Sequence, residues 1–215
     1  MAFKSRDPDR TRARILAEAT RLFAKGGYAG TSTNEVVEAC GVSKRMLFHY
    51  FGDKDGLYRA VVLQQWVELK EWFDESARAY MSEHGSLPAD TATLLQESIR
   101  ISSRFMAQRQ DFVRLVMWDG LEGGRAANSI WKEVRGPLFV QVEFLLRQAQ
   151  SEGLLPKDME PAQLVISFLG AVSFYYAYAH TLKEIIPDPL GPASLKARED
   201  HVVKLLSSVF TARRN

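Results

Sequence analysis

Residues 30–56 carry local folding signals that leave the chain little freedom. Ser32 followed three residues later by Glu35 is a capping box, in which hydroxyl and carboxylate each serve the other's backbone amide, so a helix starts there. It is short, because Gly41 supplies the left-handed residue that ends a helix. Ser43 caps a second short helix, Lys44 through Phe51, which breaks at Gly52-Asp53. Asp53 then caps a long helix from Lys54 toward Met81. Helix, tight glycine turn, helix, with Val37, Val42, Leu47 and Phe51 facing inward, is the helix-turn-helix pattern. In that motif the second helix enters the major groove with its N-terminal residues on base edges.

The charge distribution agrees. The whole chain of 215 residues carries 28 Lys+Arg against 26 Asp+Glu, a formal +2. Residues 1–60 hold 11 of the basic and 7 of the acidic residues, so this segment is +4 and the remainder is −2. A basic end on a mildly acidic remainder suits a chain that meets a polyanion at one end. Ahead of the motif, Ile15, Leu16, Ala19, Leu22 and Phe23 mark the buried face of another helix, stopped at Gly26-Gly27. Arg10, Arg14, Arg21 and Lys25 fall on a stripe opposite that face.

The order Gly27-Tyr28-Ala29-Gly30-Thr31-Ser32-Thr33-Asn34-Glu35-Val36-Val37, Cys40-Gly41-Val42-Ser43-Lys44 and Leu47-Phe48-His49-Tyr50-Phe51-Gly52-Asp53-Lys54 resembles the DNA-binding head of the tetracycline-repressor (TetR) family. The match spans roughly residues 10–60. The resemblance implies an all-α protein: an N-terminal three-helix head over 1–52, and a helical ligand-binding and dimerisation domain over 53–215. It implies a homodimeric transcriptional regulator, usually a repressor, with a small-molecule pocket in its C-terminal domain. The chain departs from the family's pattern at Arg45, where glycine is frequent, and at Met46, where threonine or another small residue is usual. It departs again at Phe48, a common tyrosine position whose hydroxyl reaches a phosphate; phenylalanine cannot make that bond.

Phosphate contacts position such a protein and base contacts specify its site. Lys44 and Arg45 are the expected base readers, arginine because it pairs bidentately with guanine. Met46 suits a thymine methyl group or internal packing, and His49 a base edge or phosphate. Ser32 and Thr33 at a helix start, Tyr50, and Lys54 are the expected phosphate contacts, helix N-termini being favourable to anions.

Beyond residue 60 the pattern predicts helices over 53–82, 90–108, 110–120, 126–151 (disturbed at Gly136-Pro137), 161–185 and 193–211. Residues 161–182 contain no Asp, Glu, Lys or Arg. That length could span a bilayer, but Gln163, Ser167, Ser173, His180 and Thr181 interrupt it and no second such segment exists, so no membrane partner is expected. A helix apolar on two faces also suits burial against both its own core and a partner subunit. The resembled family pairs its last two helices in a four-helix dimer interface, for which Ser167, Gly170, Phe174, Ala177, Val202, Leu206 and Val209 are the candidates. Pocket candidates are Trp66, Arg104, Phe105, Trp118, Trp131, Phe174 and Tyr178, a mostly apolar set with a polar handle. Phe139, Tyr175, Asn128, Arg135 and His180 are further possibilities, and any of these aromatics also suits core packing.

The sequence offers no phosphate-binding Gly-x-x-x-x-Gly-Lys loop, no Gly-x-Ser-x-Gly elbow and no His-Glu-x-x-His helix. Its four histidines lack metal-ligand spacing, so neither an enzyme nor a metal or cofactor is expected. The lone Cys40 reads as a small packed residue. One cysteine and an N-terminus without an apolar stretch point to the cytoplasm. The expected partners are a double-stranded operator, a second copy of the chain and a small-molecule effector. The alternative is a DNA-bound regulator without an inducer.

Overall fold

A computed structural model of the chain describes residues 8–126 and 130–208, with the side chain of Trp131 outside that description. The described residues are all-α, with no strand among them. The helices are α1 (Pro8–Gly26), α2 (Thr33–Cys40), α3 (Lys44–Phe51), α4 (Lys54–His84), α5 (Thr91–Gln108), α6 (Gln110–Leu121), α7 (Gly136–Ser151), α8 (Pro161–Ala177) and α9 (Pro192–Ser207). They group into two compact units, one of residues 1–67 and 114–134, the other of 68–113 and 135–215. Both α4 and α6 contribute residues to each unit.

In the first unit, Ile15, Ala19 and Phe23 of α1 meet a core that includes Val36 of α2, Leu47 of α3, and Leu57, Val61 and Val62 of α4. Full burial of each of these side chains other than Ala19 stabilises the fold by about 1.5–3 kcal/mol. Val36, rather than the expected Val37, is the fully buried residue of α2; Val37 is half-buried. Cys40 is buried with its Sγ 3.9 Å from the Arg14 carbonyl, and burial raises its thiol pKa, in keeping with a packed residue.

In the second unit, Leu95, Leu146, Ala149, Leu155 and Val165 bring α5, α7 and α8 together. The Tyr176 hydroxyl donates to the Ser103 carbonyl at 3.0 Å, and burial pushes its pKa up to about 12. Two helices differ from their sequence pattern. Residues 131–135 form a π-type turn and regular α-helix begins only at Gly136. Pro137 has no N–H to offer the carbonyl four residues earlier, and its ring crowds that turn, which widens. Helix α8 stops at Ala177 rather than 185: the Tyr178 carbonyl accepts from Thr181 and Leu182, and a 3₁₀ turn follows over Thr181–Glu184. The Tyr175 hydroxyl donates to the Pro189 carbonyl at 2.6 Å, holding the proline-rich return loop against α8.

Candidate nucleic-acid interface

The motif's punctuation forms as its chemistry dictates. Ser32 Oγ accepts from the Glu35 amide at 3.2 Å, and Glu35 Oε2 accepts from the Ser32 amide at 2.6 Å. Hydrogen bonds to its carboxylate from Ser32, the backbone amide foremost and then the hydroxyl, hold the Glu35 carboxyl below its ordinary pKa. At the far end of α2, Gly41 adopts φ 60°, ψ 37°, and its amide donates to the Glu38 carbonyl. That left-handed geometry suits glycine and lets the chain reverse into α3. Ser43 Oγ then accepts from the Met46 amide at 3.2 Å, which closes the N-terminus of α3.

Helix α3 is divided between two duties. Leu47 is fully buried and Phe51 nearly so, with the Arg12 guanidinium 5.4 Å from the Phe51 ring centroid. Lys44, Arg45, Phe48 and His49 are exposed, while Met46 and Tyr50 are half-buried. At about 100° per residue, the four exposed residues cover an arc of about 140°. All four base candidates thus lie on one short helix, three exposed together and Met46 partly turned in. Of the phosphate candidates, Ser32 is exposed, whereas Thr33 is half-buried. Tyr50 stands edge-on to His49, with ring centroids 5.5 Å apart. Lys54 lies with its Nζ 4.2 Å from the Tyr28 ring centroid, a cation–π contact.

A segment distant in sequence completes this unit. The Glu122 carboxylate accepts from the amides of Tyr28 and Ala29 at 2.8 and 2.9 Å. Arg114 donates to the Ala24 carbonyl at 3.2 Å. The Arg125 guanidinium lies 4.4 Å from the same Tyr28 ring that Lys54 faces, and 3.8 Å from Asp55. Asp119, itself buried, accepts from the Ala126 amide at 3.1 Å. The turn at Gly27 has φ +68°, and a Cβ there would lie 2.8 Å from Trp118 Cε3. Glu122, Gly123 and Gly124 follow the end of α6. No local signal exposes their role, because partners 93 and 94 positions apart leave no periodicity.

The other candidates take various places. Trp66 is buried and Trp118, half-buried, covers Gly27, both in the first unit. Phe105 belongs to the core of the second unit, edge-on to Trp72 and Phe112. Arg104 is not a spare polar handle: its Nε and Nη2 donate to the buried Glu199 at 3.0 and 2.9 Å. Phe174 and Tyr178 stack on each other at 4.4 Å and are 52% and 51% exposed, an outward pair rather than the wall of an enclosed cavity. Ser167 and Gly170 share that exposed side of α8, and Ala177 is half-buried. Val202, expected at a dimer surface, is instead core, because α9 turns its 202–203 side inward and Leu205 outward. Leu206 is half-buried; Val209 and Asn128 lie outside the described residues. The described residues include no helix long and apolar enough to cross a membrane and no cluster able to hold a metal ion.

Known proteins place this architecture. Residues 15–61 match the family described as bacterial regulatory proteins, tetR family, and residues 92–206 match the tetracyclin repressor-like C-terminal domain. The HTH-type transcriptional regulator UidR of Escherichia coli K12 is 35% identical over 152 residues, 71% of this chain and 72% of its own length. The HTH-type transcriptional repressor SCO4008 of Streptomyces coelicolor is 24% identical over 182 residues, 85% of this chain and 86% of its own. The crystal structure of the putative regulator SCO4942, also from Streptomyces coelicolor, superposes with a TM-score of 0.69 at 24% identity, covering 93% of this chain and 98% of that one. With a capped helix-turn-helix bearing its cations outward and both family domains matched in order, the chain belongs to the TetR family of transcriptional regulators.

Proposed function

We propose that the chain is a homodimeric repressor that binds a palindromic operator through two copies of α3 and leaves it when a small apolar or aromatic ligand binds. The observation that carries this reading is the solvent face of α3, where Lys44, Arg45 and His49 stand outward on a helix anchored by Leu47 and Phe51. One short helix offers few base contacts, and two copies related by a two-fold axis read both halves of a palindrome. The exposed side of α8 supports pairing: Ile166, Phe174 and Tyr178 flank Ser167 and Gly170, apolar surface beside small residues that permit close helix approach.

A ligand shifts operator affinity only by its preference for one of two states. A second reading, a regulator without an inducer, is favoured by the engagement of Arg104 with Glu199 and the core position of Phe105. An open cleft of about 220 Å³ bounded by Asp53, Asp55, Tyr58, Arg59 and Arg125 is too charged to suit an apolar ligand.

Selection of duplexes from a random library by the purified chain tests the reading. The expected product is an inverted repeat with half-site centres about 34–36 Å apart or a multiple of that spacing; a single half-site or a direct repeat would exclude the two-fold arrangement. On the selected duplex, Arg45→Ala should relax base preference. Lys54→Ala should weaken all duplexes alike and reduce the salt slope. Release of the duplex by a member of an apolar metabolite panel supports an inducer, and retention against the whole panel supports the second reading.

A further inference from the structure

We propose that Phe48 reads thymine, its ring packing against a C5-methyl group in the major groove. The position is one where a tyrosine hydroxyl would hold a phosphate, and phenylalanine has no such group. Its ring is nevertheless presented outward, 38% exposed, on the same side of α3 as Lys44 and Arg45. An apolar ring on a face otherwise built from charged and polar groups gains nothing from water. In the major groove, the methyl group of thymine is the apolar feature that distinguishes one base from the others.

The neighbouring cation sharpens this assignment. Lys44 Nζ lies 5.8 Å from the Phe48 ring centroid, one helical turn away. The pair therefore presents an ammonium donor and an apolar ring side by side. Their four-residue separation is about 6 Å along the helix axis, which corresponds to about two steps at about 3.4 Å per nucleotide. The thymine read by Phe48 thus stands about two base pairs from the position sensitive to Lys44. Arg45 and His49 form a parallel row, a wholly polar line beside the mixed line of Lys44 and Phe48. The proposal rests on α3 being the reading helix.

The test uses the full chain and the duplex it selects from a random library. Each thymine is replaced in turn by deoxyuracil, which removes the methyl group and keeps Watson–Crick pairing. One position in each half-site should lose about fourfold in affinity, the worth of one buried methyl group, and symmetric replacement about fifteenfold. Phe48→Ala should bind the thymine and uracil duplexes equally, while Met46→Ala keeps the discrimination. Lys44→Ala should change base preference about two pairs from the sensitive thymine.

Uracil replacement that is unfelt at every position in the wild-type chain overturns the proposal, and that result needs no variant to fold. Discrimination that persists in Phe48→Ala, or that disappears in Met46→Ala instead, also overturns it. If the wild-type chain selects no sequence, the reading of α3 fails and the proposal with it. If it selects one but ignores the methyl groups, only the role of Phe48 fails.

Discussion

Glu199 shows how one side chain can hold two helices in register. It is 7% exposed on α9, yet charged, because Arg104 meets it with two hydrogen bonds and Arg100 adds a third at 3.3 Å, both from α5. Burial favours the neutral acid; the hydrogen bonds and charge of Arg104, joined by Arg100 and Lys196, outweigh it and leave the carboxyl below the ordinary glutamate value. A depressed folded pKa means that the contribution is fully present above the unfolded value of about 4.3 and is lost as pH falls through the lower folded one. Glu199→Gln should therefore cost about 1–2 kcal/mol near neutral pH, less than for a fully buried pair because Arg104 is half-exposed. Urea midpoints of wild type and variant should converge in acid. A gap independent of pH would show that the substitution acts through packing. Asp200, bound to Lys196 and Arg100, remains in both proteins and titrates in each.

At the level of elements, the segment from Arg114 to Ala126 is as much a part of the DNA-binding unit as the helices of the motif. Its hold on the α1–α2 turn concentrates in Glu122. Glu122→Ala leaves the amides of Tyr28 and Ala29 without their acceptor, and should destabilise this unit by about 1–2 kcal/mol given partial solvent access. Hydrogen exchange should quicken at those two amides, with little change at Leu47 in α3; uniform exchange at all three would mean that the carboxylate does not act locally. The contrast with α2 and α3 explains what the sequence made legible. Ser32–Glu35, Gly41 and Ser43 act within a few residues of themselves, so their meaning can be read in place. The grip of Glu122, the widened turn before Pro137 and the early end of α8 depend on distant or steric partners. Helix α9 illustrates a subtler loss: its apolar residues fill more than one face, so periodicity finds the helix without fixing which face turns in. Val202 and Val203 went to the core and Leu205 to solvent.

For the molecule as a whole, the small net charge of +2 conceals a basic motif segment joined to a mildly acidic remainder. The proposed pairing through α8 adds a second requirement. Phe174→Asp places a charge within an exposed aromatic pair and outside the core, so the monomer should stay folded. Sedimentation at micromolar concentration should then report monomer where the wild type sediments as dimer, with operator affinity falling at least tenfold. A variant that remains dimeric would move the interface away from this side of α8.

The clasp formed by Glu122 has a consequence for how such a regulator can change its target. It holds main-chain amides, which every residue but proline provides, and so places no demand on the side chains of Tyr28 and Ala29 for those bonds. What it recognises is the shape of a turn set by glycine, not its lettering. The outward residues of α3 share none of these bonds, so under the proposed reading the DNA address can drift by single substitutions while the clasp on the α1–α2 turn stays unaltered.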